Sequence, residues 1–137
     1  MAIISTKGAY GLTAIMILAR EDDNTLLQIK EIAHKGDIPK NYLEQILVQL
    51  KKSGLVQSVR GANGGYKLSR DASSITVYEV VNSLECCLTQ IENKNKNNIL
   101  QPFWDDTREK IKEIFSLTLT ELEEFLKKDS ENFTYTI

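Results

Sequence analysis

The sequence has little cysteine, a single histidine and no long apolar run. Its 137 residues hold two cysteines, Cys86 and Cys87, and they are adjacent. Neighbouring cysteines cannot staple distant segments of one chain, which excludes a disulfide framework and points to a reducing compartment. No stretch approaches the ~18 apolar residues that a bilayer-spanning helix requires. The opening MAIISTKGAYGLTAIMILAR is interrupted by Lys7, Gly8, Tyr10 and Gly11 and lacks a signal-peptide cleavage pattern, so a cytoplasmic protein with no membrane partner is expected. With one histidine, His34, no Walker-type loop, no GxSxG elbow and no spaced metal ligands, there is no catalytic constellation, and an enzyme is not expected.

What is present is an ordinary composition, 42% hydrophobic and 26% charged, suited to one compact unit or a small domain with a dimerising arm. The net charge of −2 hides an asymmetry. Residues 1–70 carry ten Lys or Arg against six Asp or Glu, whereas residues 71–137 carry seven against thirteen. A basic amino half suits a polyanionic partner; chance unevenness of solvated faces is the plainer alternative.

Tyr10, Ala14, Ile17 and Leu18 recur at the spacing of one helical face. Leu27, Ile29, Ile32 and Ala33 outline a short second helix, with Gly36 placed to close it in a left-handed conformation. A third helix opens at Pro39, carries Tyr42, Leu43, Ile46, Leu47 and Leu50 inward, and stops at Ser53 and Gly54. Two short helices across a tight turn read as helix-turn-helix. LVQSVR and YKLSR flank a Gly-rich tip in which Asn63-Gly64-Gly65 tolerates positive φ, a β-hairpin. Thr76 and Glu79 form a capping box for another helix to about Glu85.

Residues 86–101, including NKNKNN, read as an exposed loop. Pro102 opens a long helix with Trp104, Ile111, Ile114 and Phe115 toward one side, best covered by the same helix of a second copy. Thr118 and Glu121 cap a final short helix before the tail NFTYTI. The expected class is mainly α with a small β-hairpin wing. Residues 1–85 form a winged helix-turn-helix domain, 86–101 a loop, and 102–137 the dimerisation helix and C-terminal tail.

In such a fold the third helix enters the major groove, presenting Lys40, Asn41, Glu44 and Gln45. Glu44 can accept from cytosine N4, Asn41 and Gln45 can pair with adenine, and Lys40 can reach guanine or phosphate. A merely solvated face, on which Glu44 would repel DNA, is the alternative. Arg60 beside the Gly-rich tip suits a narrow minor groove, or else a wing-stabilising ion pair; Gly64 and Gly65 serve the wing or only form the turn. Ser5, Thr6 and Lys7 at the first helix start could clamp a phosphate, although a plain N-cap explains Ser5 or Thr6 equally. Lys51, Lys52 and Lys67 would add sequence-independent attraction, with plain surface charge as the alternative for some of them.

The segment IPKNYLEQILVQLKKSGLVQSVRGANGGYKLS resembles the Rrf2 family of bacterial winged-helix transcription regulators. ISTKGAYGLTAIMILA is similar to that family's first helix, SSITVYEVVNSLE to its helix after the wing, and FWDDTREKIKEIFSLTLTEL to its dimerisation helix, so the resemblance covers nearly the whole chain. It implies a homodimeric repressor that binds double-stranded DNA at a pseudo-palindromic operator, and it puts Tyr42 and Glu44 in the DNA-contacting helix.

Members of that family with an iron–sulfur cluster carry three spaced cysteines in the loop before the dimer helix. Here Cys86 and Cys87 stand alone, so neither metal nor iron–sulfur cluster is expected, and the pair reads as incidental thiols or a thiol switch. Without the three-cysteine motif the resemblance falls with the CymR-like group of cysteine-metabolism repressors, which implies genes of cysteine or sulfur metabolism. In that group the repressor partners with cysteine synthase, an enzyme that captures a tail ending in a free Ile carboxylate, and Tyr135-Thr136-Ile137 is similar to such a tail. Two alternatives follow from the resemblance: an interaction module regulating a cysteine synthase-like enzyme through Tyr135 and Ile137, or a redox or iron–sulfur sensing regulator.

Overall fold

The computed structural model describes residues 4–85 and 98–135, with side chains through Glu131. Helix α1, Thr6–Ala19, is the central element, capped by Ser5, whose hydroxyl accepts from the Gly8 N–H at 3.2 Å. Its two glycines let another helix approach closely. A Cβ at Gly11 would run into Leu84 Cδ1, and one at Gly8 would meet the Glu85 carboxylate. Both clashes come from α4, Val77–Leu84, and the residue that ends it, which lie along α1.

Helix α2, Ile29–Gly36, begins with the Glu31 carboxylate accepting the Gln28 N–H at 2.7 Å. The expected left-handed closure at Gly36 is displaced by one residue: Asp37 takes φ 51° and Gly36 stays in the helix. Gly36 is needed there for space, because a Cβ would come within 2.9 Å of Ile38 and 3.0 Å of Ile17. Helix α3, Lys40–Lys52, follows after Pro39 and ends at Ser53, with Gly54 at φ 75°. The two helices cross within one helix-turn-helix around a shared core that includes Ile15, Ile32, Leu43, Ile46, Leu47 and Leu50, all fully buried. Burying each such side chain contributes about 1.5–3 kcal/mol.

Strands β1, Val56–Val59, and β2, Gly65–Leu68, pair antiparallel with Val56 opposite Leu68 and Val59 opposite Gly65. A third rung comes from Leu27, just before α2: its N–H donates to the Tyr66 carbonyl at 3.0 Å and its carbonyl accepts from the Tyr66 N–H at 2.7 Å. The tip departs in part from the sequence expectation. Gly65, the first residue of β2, takes the expected positive φ (157°), whereas Asn63 and Gly64 do not, and a further positive φ lies at Gly61 (116°). Gly64 is buried because its α-carbon faces the Val59 carbonyl, and a Cβ at Gly65 would sit 2.6 Å from the Leu27 carbonyl oxygen.

After the wing, the Thr76 and Glu79 capping box forms as expected, with Thr76 N donating to Glu79 at 3.0 Å and Glu79 N to Thr76 Oγ1 at 3.1 Å. Helix α5, Gln101–Ile114, starts one residue before Pro102. It makes no extended packing against another described element and has no fully buried residue. Its C-terminal end is held by backbone bonds to the start of α4, from Tyr78 N to Phe115 O at 2.7 Å and from Val77 N to Leu117 O at 2.8 Å. Helix α6, Leu119–Tyr135, has 17 residues instead of being short; at its start Leu119 is buried in the main core and the Thr118 hydroxyl caps Glu121 N at 3.1 Å. Among the described residues the architecture is therefore six helices with a two-stranded hairpin, a winged helix as expected.

Candidate nucleic-acid interface

The solvent face of α3 is polar and open. Lys40, Asn41, Glu44 and Gln45 are exposed, opposite the buried Leu43, Ile46, Leu47 and Leu50, and none of the four is tied to another described residue. Tyr42 does not share that face. Its ring is half-buried and meets Tyr10 edge-on, with centroids 5.7 Å apart, so it steadies α3 against α1.

Between α3 and the wing runs an open cleft of about 560 Å³ lined by Lys40, Glu44, Lys51, Arg60, Gly64 and Gly65 among others. Lys51 Nζ donates to Ser58 Oγ at 2.7 Å, tying α3 to β1. Arg60 is exposed at the end of β1 and has no carboxylate partner among the described residues, so the ion-pair alternative for it finds no support. Lys67 is elsewhere: with Gln57 it lines the opposite side of the hairpin, beside Arg70 and Asp71.

Two cleft residues escape a sequence reading. Gln28 ahead of α2 donates from Nε2 to the Ala62 carbonyl at 3.4 Å, joining the wing tip to the helix-turn-helix, and Lys30 lies exposed on the first turn of α2. A polar residue just before an amphipathic run marks a helix start; its reach to a tip 34 residues away leaves no local signal.

The amino end of α1 is already engaged. Ser5 donates from its backbone N and its hydroxyl to Glu85 Oε1, at 2.8 and 2.6 Å. Thr6 is exposed and Lys7 half-buried, and none of the three lines the cleft between α3 and the wing.

The C-terminal helices carry uncovered apolar surface. Trp104, Ile111 and Phe115 are half-buried, while Ile114 is 70% exposed. Phe103, not singled out by the helical pattern, is 58% exposed with its ring 5.0 Å from that of Trp104. Tyr135 ends α6, and Ile137, Cys86 and Cys87 lie outside the described residues.

Among the described residues no group of three His, Cys, Asp or Glu could hold a metal ion, and both cysteines lie outside them.

Comparison with known proteins gives a consistent result. The family model described as "Rrf2: Iron-dependent Transcriptional regulator" matches residues 4–130. The HTH-type transcriptional regulator CymR of Bacillus subtilis is 33% identical over 136 residues, 98% of this chain and 99% of its own length. The HTH-type transcriptional regulator IscR of Cereibacter sphaeroides is 44% identical over 84 residues, so the chain's match spans about half of that relative, 54% of its length and 60% of this chain. Among solved structures, CymR (YrzC), the global cysteine regulator of B. subtilis, superposes with a TM-score of 0.78 at 34% identity, covering 91% of this chain and 98% of its own. The T. potens IscR superposes with a TM-score of 0.75 at 32% identity, covering 92% and 89%.

Proposed function

The chain belongs to the Rrf2 family of transcriptional regulators, and from that premise we propose that it is a homodimeric repressor binding double-stranded DNA at a pseudo-palindromic operator. The observation that carries this reading is the open face of α3, where Lys40, Asn41, Glu44 and Gln45 stand exposed beside Arg60 on the wing, which has no carboxylate partner among the described residues. α3 supplies donors and acceptors for base edges, and Arg60 supplies a cation at wing height for a narrow minor groove. Lys30, Lys51 and Lys52 add attraction to phosphates.

Two copies are supported by α5, which has exposed Ile114 and Phe103 and no extended packing against another described element. A two-fold pair would place two α3 helices about one or two helical turns apart on the duplex. The regulated genes in this reading are those of cysteine or sulfur metabolism, by likeness to a relative whose structure is described as the global cysteine regulator of its organism. Neither an iron–sulfur cluster nor a dependence on iron enters the reading, because two adjacent cysteines and one distant histidine are a poor donor set for a cluster.

The test is selection of genomic fragments by the purified protein at about 150 mM salt, where non-specific phosphate attraction is weakened. Recovery of a shared palindrome near cysteine or sulfur genes is the expected result. Equal retention of palindromic and scrambled duplexes at every salt concentration would overturn the reading.

A further inference from the structure

We propose that Val48 reads a thymine methyl group in the major groove and is therefore a specificity-determining residue of this regulator. The inference rests on the DNA-binding reading above. At 3.6 residues per turn, Val48 falls at the centre of the arc bounded by Lys40 and Gln45, directly opposite the core-facing Leu43, Ile46, Leu47 and Leu50.

Val48 is 51% exposed and takes no part in the hydrophobic core. Helix stability does not favour it, because a β-branched side chain loses χ1 freedom in a helix and is a poorer helix former than Lys, Glu, Gln or Ala. An isolated apolar side chain on a surface ordinarily needs no explanation. This one stands in the middle of a polar face, with exposed Lys51 and Lys52 on the following turn, and these cations suit a polyanion lying across it.

In the major groove only thymine presents a methyl group, on C5 beside its O4, whereas cytosine has a bare C5–H beside its N4 amino group. An isopropyl group on a helix seated there matches that methyl and leaves a cytosine N4 amino group without an acceptor. Glu44, one turn earlier, supplies such an acceptor for a neighbouring pair. The face can thus discriminate thymine from cytosine at adjacent steps by two different means.

The test uses the full chain and a duplex selected by it from a random-sequence pool at about 150 mM salt. Each thymidine of the selected duplex is replaced in turn by 2′-deoxyuridine, which deletes only the methyl, and binding of the wild type and of Val48→Ser is compared. Removing a methyl from an apolar contact is expected to weaken the wild type roughly fourfold at one position per half-site, and to leave Val48→Ser unchanged there. Equal losses in both proteins, or no loss in the wild type, overturn the inference while leaving DNA binding standing. Selection of no sequence at all overturns the DNA-binding reading itself. A thermal melt of Val48→Ser establishes that the exposed substitution leaves the fold intact.

Discussion

Glu85 Oε1 accepts two hydrogen bonds from Ser5, one from the backbone N and one from the hydroxyl, and so fastens the end of α4 to the start of α1. Ser5 serves both helices, since its hydroxyl also caps Gly8. The carboxylate stands at the positive end of the α1 dipole, which favours it further. Glu85→Ala and Ser5→Ala are each expected to destabilise the fold by about 1 kcal/mol, and the double variant by less than the sum, because both remove the same contact. Denaturant melts of the three variants measure this, and strict additivity would show that the two residues act independently.

Glu44 and Arg60 line the same cleft, and the proposed function gives them different tasks. Glu44→Ala is expected to lower discrimination between operator and scrambled duplex by about 1–3 kcal/mol while changing non-specific affinity little. Arg60→Ala is expected to weaken binding and to reduce the steepness of its salt dependence by about one phosphate contact. Titrations at several salt concentrations separate the two behaviours.

The Glu79 carboxylate belongs to both the α4 capping box and an ion pair with Arg70, 2.6 Å away. Partial burial pushes its pKa up, but the hydrogen bonds from Arg70 and the Thr76 N–H, with the Arg70 charge, outweigh that and hold it below the ordinary value. A carboxyl depressed in the folded state contributes stability that is present above its unfolded pKa and lost as pH falls through the folded one. Thermal melts below pH 5 should therefore show an acid-side loss of stability that is smaller in Glu79→Gln, which has no such proton to take up. A wild type and variant that lose stability in parallel would contradict this.

Ile114 is the most exposed large apolar residue of α5. If α5 pairs with its copy, Ile114→Asp should place two carboxylates in an apolar seam and yield monomers in light scattering, with the circular dichroism of the winged helix retained. Unchanged dimers would move the contact to another face, such as that of Phe125 and Leu126 on α6.

The elements legible in the sequence are those with local signals. Thr76 and Glu79, three residues apart before an apolar run, announce α4, and Leu43, Ile46, Leu47 and Leu50 set the inward face of α3 and hence its outward one. What stays hidden depends on partners distant in sequence. Gly8 and Gly11 read as breaks in an apolar stretch, yet they are the seats for Glu85 and Leu84. Nothing near Ser5 or Lys67 indicates that one is held by a residue 80 positions away or that the other lies on the far side of the hairpin.

The rung between Leu27 and Tyr66 bears on the energetics of recognition. A wing made of two strands alone would be marginal in water and would have to surrender its freedom on meeting a duplex, at about 1–2 kcal/mol for each backbone residue fixed. Here Gly65 lets β2 lie against the Leu27 backbone, and Gln28 reaches the tip at Ala62, so folding has already paid that entropy. In the proposed function Arg60 is thus carried on a preformed arm whose height above α3 is fixed before any encounter, so that affinity for a duplex would depend on fit to groove width instead of on the ordering of a loop.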